Sequence, residues 1–179
     1  WKAPIYCDNR KILSYPETRN FICEQFVRII REKYPDVEVI AGVATGAIAH
    51  GALVADKLGL PFVYVRSKPK DHGLENLIEG SLKRGQKVVV VEDLVSTGGS
   101  SLKAVEALTG FGGNVLGMVA IFTYNFPESK TNFEKAGVEL TTLSNYQILI
   151  ELALSKGEIR AEEIESLQNW RKNPSEWGR

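Results

Sequence analysis

The chain has 179 residues, 44% hydrophobic and 25% charged, enough for one domain over residues 1–179 with a sizeable core. Its 22 basic and 22 acidic side chains cancel, which excludes the basic surface of a non-specific nucleic-acid binder. No apolar run approaches the length of a membrane span and no secretory leader is visible, so a cytoplasmic protein with no nucleic-acid or membrane partner is expected.

Taken in chain order, Pro4 to Asp8 has the pattern of a short strand. Ser14-Tyr15-Pro16-Glu17 resembles a capping box with proline in the first turn, and an apolar stripe through Phe21, Ile22, Phe26, Val27, Ile29 and Ile30 predicts a helix ending near Tyr34-Pro35. Val37 to Ala41 is a predicted strand, Gly42 to Gly46 a tight turn, and an alanine-rich helix runs to about Leu58. Phe62 to Arg66 is the next strand, Ser67 to Asn76 a polar, basic loop, and Leu77 to Glu79 a short strand before that of Lys87 to Val91. Ser101 to Phe111 is a helix, Val115 to Thr123 a strand, Lys130 to Ala136 a short helix and Val138 to Thr141 the last strand. Ser144 or Asn145 caps a helix to about Ser155, and Ala161 to Lys172 is terminal. Alternating strands and helices imply an α/β fold, a mostly parallel sheet flanked by helices. Cys7 and Cys23 lack zinc-site spacing and are expected to be reduced, half-buried thiols. Trp1 stands first, so the natural start is expected to lie upstream.

The segment Val88 to Ser101 carries the most chemistry. Four valines form a buried strand, and Glu92 and Asp93 stand at its carboxyl end. Leu94-Val95-Ser96-Thr97-Gly98-Gly99-Ser100 then leads into a helix. Glycines let backbone approach a ligand, and hydroxyls, amides and a helix N-terminus together suit a phosphate. Carboxylates beside a phosphate site serve sugar hydroxyls or a metal. No Gly-Lys-Ser/Thr follows, and no Gly-x-Gly-x-x-Gly turn is present, so neither a Walker A loop nor a dinucleotide fingerprint fits. Gly98 or Gly99 changed to valine is expected to block the phosphate and spare the fold, the loop lying outside the core.

Arg66 to Gly73 places Arg66, Lys68, Lys70 and His72 between two strands. Alone it would read as a solvated basic loop, and His72 would fit capping or packing equally well. Beside an acid-flanked phosphate loop it is complementary, because a departing polyphosphate needs cations and a loop can close over a site.

Val88 to Ser101 resembles the phosphoribosyl pyrophosphate (PRPP) motif of type I phosphoribosyltransferases. The pattern around Arg66, Lys70, Asp71, His72 and Gly73, the stretch Pro4 to Arg10, Leu13 to Pro16 and Ile121 to Tyr124 resemble orotate phosphoribosyltransferases. The resemblance covers nearly the whole chain. It implies the type I fold with a small hood, a homodimer with shared sites, Mg²⁺ as cofactor, and formation of orotidine 5′-monophosphate in pyrimidine (UMP) biosynthesis. By matching position, Arg66, Lys70 and His72 would contact PRPP and its pyrophosphate. Glu92 and Asp93 would bind the ribose, and the loop from Leu94 to Ser100 the rest of PRPP. Lys70, His72 and Asp93 would carry catalysis. Ser96 and Lys2 would lie beside orotate. No dedicated metal ligands are implied, Mg²⁺ being held mainly through substrate.

Departures from the family pattern are expected to matter. Ala44-Thr45-Gly46-Ala47 lacks the lysine some members carry, leaving backbone amides for pyrophosphate. Ser67 stands where some have a second basic residue, and Tyr124-Asn125 where some have an arginine for the orotate carboxylate. Backbone amides or residues upstream would have to supply that contact. Two alternatives are another base phosphoribosyltransferase and a non-catalytic PRPP-sensing regulator of transcription. Against the regulator stand the balanced charge and the lack of a helix-turn-helix pattern.

Overall fold

The computed structural model describes residues 3–68 and 77–174. Among the described residues six strands form one sheet: β1 (Val39–Val43), β2 (Phe62–Val65), β3 (Ile78–Glu79), β4 (Lys87–Val95), β5 (Asn114–Thr123) and β6 (Leu140–Asn145). Their order is β3-β2-β1-β4-β5-β6, and every pair is parallel except β2 with β3. The chain winds outward in one direction from β1 and in the other from β4. The crevice at the carboxyl ends of β1 and β4 is therefore the topological switch point, where open α/β sheets bind ligands.

The α-helices among the described residues are α1 (Pro16–Lys33), α2 (Ile48–Leu58), α3 (Gly99–Phe111), α4 (Pro127–Ala136), α5 (Tyr146–Ser155) and α6 (Ile164–Lys172). Strand alternation divides the core. Val88 and Val90 face Leu102, Val105 and Leu108 of α3, whereas Val89 and Val91 face Phe26 and Ile30 of α1 and Val54 of α2. All four valines are fully buried, each worth about 1.5–3 kcal/mol of hydrophobic stabilisation. A third cluster joins Phe122, Tyr124, Phe126, Tyr146, Ile150, Leu167 and Trp170, with Ile5 and Cys7 packed on it. This aromatic cluster, with Ile5 and Cys7 against it, forms the hood beside the crevice.

Several boundaries differ from expectation. Pro4 to Asp8 forms no strand, because Ile5 and Cys7 take their burial from the aromatic cluster instead of a sheet edge. The capping box does not form. Ser14 closes a 3-10 turn over Asn9–Ser14, Tyr15 is the cap residue without a side-chain bond, and Pro16 opens α1. Both β1 and β6 are displaced toward the carboxyl end by two residues or more at each end, and Asn145 is the residue that caps α5. Strand β4 continues to Val95, since Leu94 pairs with Phe122 and Val95 with Thr123 on β5. The carboxylates thus lie within the strand, beyond the last β1 pairing, Gly42 with Val91. That leaves the β1 side of residues 92–95 open to the crevice.

Candidate active site

The crevice holds an open cavity of about 430 Å³ lined by the turn after β1, by Glu92, Asp93 and Leu94 of β4, by Ser100 of α3, and by the hood. Residues Val43 to Gly46 form its floor on one side, with a cis peptide bond between Ala44 and Thr45.

The two carboxylates face opposite sides of the sheet. Glu92 shares the α3 face with Val90 and is 4% exposed. Its Oε2 accepts a hydrogen bond from the Ser101 hydroxyl at 2.8 Å, and its Oε1 one from the Asp93 amide at 3.0 Å. Burial, reinforced by neighbouring Asp93, pushes the Glu92 carboxyl up to about 8. Asp93 points the other way, against Gly46. A Cβ on Gly46 would collide with the Asp93 carboxylate, its Oδ1 lying 2.5 Å away, so only glycine fits beneath it.

Asn9 locks the hood to this strand. It is buried, its amide donates to the Asp93 carbonyl at 2.7 Å, and its Oδ1 accepts from the Cys7 thiol at 3.3 Å. Burial, then the negative charges of Asp93 and Asp8, push the Cys7 thiol up and keep it a donor. His50 on α2 is buried with no partner for Nε2 among the described residues. Burial holds it below the ordinary imidazole range, against the opposing pull of Asp93 and the Asn9 backbone.

The phosphate loop follows at once. Gly98 takes a left-handed conformation (φ 85°) as the residue before α3, leaving the first-turn amides of α3 without intrahelical partners. The Asn132 amide of α4 donates to the Thr97 carbonyl at 3.0 Å, and Phe133 packs over Gly98. A Cβ on Gly98 would lie 2.8 Å from the Phe133 ring, whereas one on Gly99 has no neighbour closer than 3.9 Å. The expectation that valine at Gly98 spares the fold is therefore corrected: the position has a positive φ and is packed. Gly99 is the open one.

Arg66 leaves β2 beside the floor turn, since the Val65 carbonyl accepts from the Ala44 amide at 2.8 Å, and its guanidinium pairs with Glu79 at 3.5 Å. Leu94 lines the cavity, whereas Val95 is fully buried, its side chain in the core. Ser96 and Thr97 are half-buried in the bend before α3, and Ser100 is exposed at the cavity. Lys2, Lys70 and His72 lie outside the described residues. Sequence reasoning assigned no role to Asn9, His50 or Arg10, although Asn9 and Arg10 sit in a stretch singled out for its family pattern, and it assigned Gly46 only a backbone amide in the turn expected to meet pyrophosphate.

Acidic side chains and a glycine phosphate loop meeting at a sheet's switch point define a phosphoribosyltransferase, and the model of the Phosphoribosyl transferase domain matches residues 18–150. The orotate phosphoribosyltransferase of Porphyromonas gingivalis is 66% identical over 178 residues, 99% of this chain and 85% of that protein. Among solved structures, orotate phosphoribosyltransferase from Aeropyrum pernix is similar with a TM-score of 0.79 and 25% identity, covering 89% of this chain and 88% of that one. The Mycobacterium tuberculosis orotate phosphoribosyltransferase in complex with PRPP is similar with a TM-score of 0.65 and 27% identity, over 78% of this chain and 80% of that one. The chain belongs to the orotate phosphoribosyltransferase family.

Proposed function

We propose that the crevice between β1 and β4 binds PRPP and passes its phosphoribosyl group to orotate, giving orotidine 5′-monophosphate and pyrophosphate in pyrimidine biosynthesis. The observation that carries this is the convergence of Asp93, Gly46 and the α3 N-terminus on one cavity, in a chain of this family. The bond from the anomeric carbon to the pyrophosphate oxygen breaks, a bond to a ring nitrogen of orotate forms, and the ribose passes through an oxocarbenium-like state. Asp93 accepts hydrogen bonds from the ribose hydroxyls, and Glu92 supplies the second carboxyl of the ribose site from the same strand. The amides and hydroxyls of Ser96 to Ser100 hold the 5′-phosphate. The floor turn, with Arg66, Lys70 and His72, meets the pyrophosphate as charge develops on it. Ser96 and Lys2 lie beside orotate.

No cluster of three potential metal-ligating side chains occurs among the described residues. Asp93 at the cavity suits an ion carried largely by substrate oxygens and water, as Mg²⁺ prefers. Bound there, Mg²⁺ would neutralise charge on the pyrophosphate. No helix among the described residues is long and apolar enough to cross a membrane. A cytoplasmic enzyme and a homodimer, in which the basic loop of one subunit covers the site of the other, belong to the same proposal.

The sharing is tested by mixing subunits. Lys70→Ala and Asp93→Asn proteins should each be inactive, while their mixed dimer places both lesions in one site and recovers up to half of wild-type activity. Purified mixed dimers no more active than either parent would refute a shared site.

A further inference from the structure

On that reading of the crevice, the phosphate loop, the carboxylates and the floor turn take three parts of PRPP. The wall left for the base is the hood, which presents Tyr6, Asp8 and Arg10 to the cavity and is backed by Tyr124. Orotate carries its carboxylate on the carbon next to the nitrogen that forms the new bond. An anion must therefore be held close to the ribose and to the Asp93 carboxylate, which repels it. Tyr124 and Asn125, at the end of β5, bring no positive charge there.

Arg10 is the cation among the described residues that line this cavity, in company with Asp8, Glu92 and Asp93. Its Nε donates to Asp8 Oδ1 at 2.7 Å and its Nη2 to the Tyr6 hydroxyl at 3.3 Å. A guanidinium has five N–H groups in a planar fork, so donors remain for a carboxylate. Its side chain is 57% exposed, so meeting a ligand there would cost little desolvation. Neighbouring Asn9 is buried and bonded to the Asp93 carbonyl, so the strap carrying Arg10 sits at a fixed distance from the strand that carries the acids.

We infer that Arg10 binds the carboxylate of orotate and sets the preference for a carboxylated pyrimidine, with Asp8 and Asn9 as positioning residues that aim it. Asp8 parks the guanidinium in a single orientation. Asn9 fixes the strap.

The test is steady-state kinetics on Arg10→Ala and Arg10→Lys, with uracil, the same ring without the carboxylate, as a competing inhibitor. Losing a charged hydrogen-bond partner in Arg10→Ala should raise KM for orotate about tenfold to a hundredfold, while KM for PRPP stays within about twofold. The inhibition constant of uracil should not move, so discrimination between the two rings collapses. Arg10→Lys, which keeps charge but not the fork, should fall between. A wild-type KM for orotate in Arg10→Ala, equal weakening of orotate and uracil, or a rise confined to PRPP would overturn the assignment. Wild-type protein in the same assay separates the two readings. Its failure to consume orotate would sink the transfer reading itself, whereas normal wild-type turnover with an unaffected Arg10→Ala sinks only the arginine.

Discussion

Gly46→Ala isolates the contact on which the account of Asp93 rests. The added Cβ would stand 2.5 Å from Asp93 Oδ1, and ordinary contact begins near 3.4 Å, so that oxygen must retreat by at least 0.9 Å (3.4 − 2.5). The strand cannot follow, because the Asp93 carbonyl is held by Asn9 and β4 is paired to β5 through Val95. The side chain therefore turns away from the ribose. A misplacement of about 1 Å in a positioned group can cost on the order of a hundredfold, or about 2.7 kcal/mol, in kcat/KM for PRPP. Gly46 does not occupy the left-handed region, so alanine adds no backbone strain. Gly110→Ala is the control. That glycine lies inside α3 with nothing near its Cβ, and alanine there should add roughly 1 kcal/mol of stability without touching activity. Calorimetric PRPP affinity and kcat/KM should fall in Gly46→Ala while its Tm stays close to wild type. Wild-type PRPP affinity in Gly46→Ala would refute the reasoning.

Three further outcomes follow from the same geometry. The Glu92 carboxyl, raised to about 8 when folded, keeps its proton where the unfolded chain has lost it. Wild-type stability should therefore fall as pH rises from about 4.5 through 8, by up to roughly a few kcal/mol, relative to Glu92→Gln, and parallel Tm-versus-pH curves for the two proteins would contradict this. Gly99→Val should keep its Tm but weaken ribose 5-phosphate binding, whereas Gly98→Val should lower Tm through the clash with Phe133 and its positive φ; equal Tm values for the two would be the wrong result. Asn9→Ala leaves the Asp93 carbonyl without its donor and frees the hood, costing about 1–3 kcal/mol in chemical denaturation and lowering turnover; unchanged stability would count against the lock.

Much of the fold was legible because its signals are local. Four consecutive valines followed by hydroxyl and glycine residues announce a buried strand, a phosphate loop and a helix, and the structure has all three in β4 and α3. The opposite directions of Glu92 and Asp93 depend on where β4 ends. With the strand stopped at Val91 the acids look like a pair in a loop; extended to Val95 they must alternate. The apolar Leu94-Val95 was the signal for that extension. Pro4 to Asp8 misled because alternating burial does not require strand pairing, and the aromatic cluster that buries Ile5 and Cys7 is assembled from residues 122–170. Gly46 and Asn9 gave no local sign of their roles, since each acts on Asp93 across a separation of more than forty residues. His50 in an alanine-rich helix was equally silent.

The central claim is tested most directly by incubating the protein with orotate, PRPP and Mg²⁺ and measuring orotidine 5′-monophosphate and pyrophosphate together. The account predicts that both appear in equal amounts as orotate disappears, that a chelator stops the reaction, and that adenine or uracil supplied in place of orotate gives no nucleotide. Nucleotide formed from one of those bases with orotate untouched, or PRPP bound without any turnover, would contradict it.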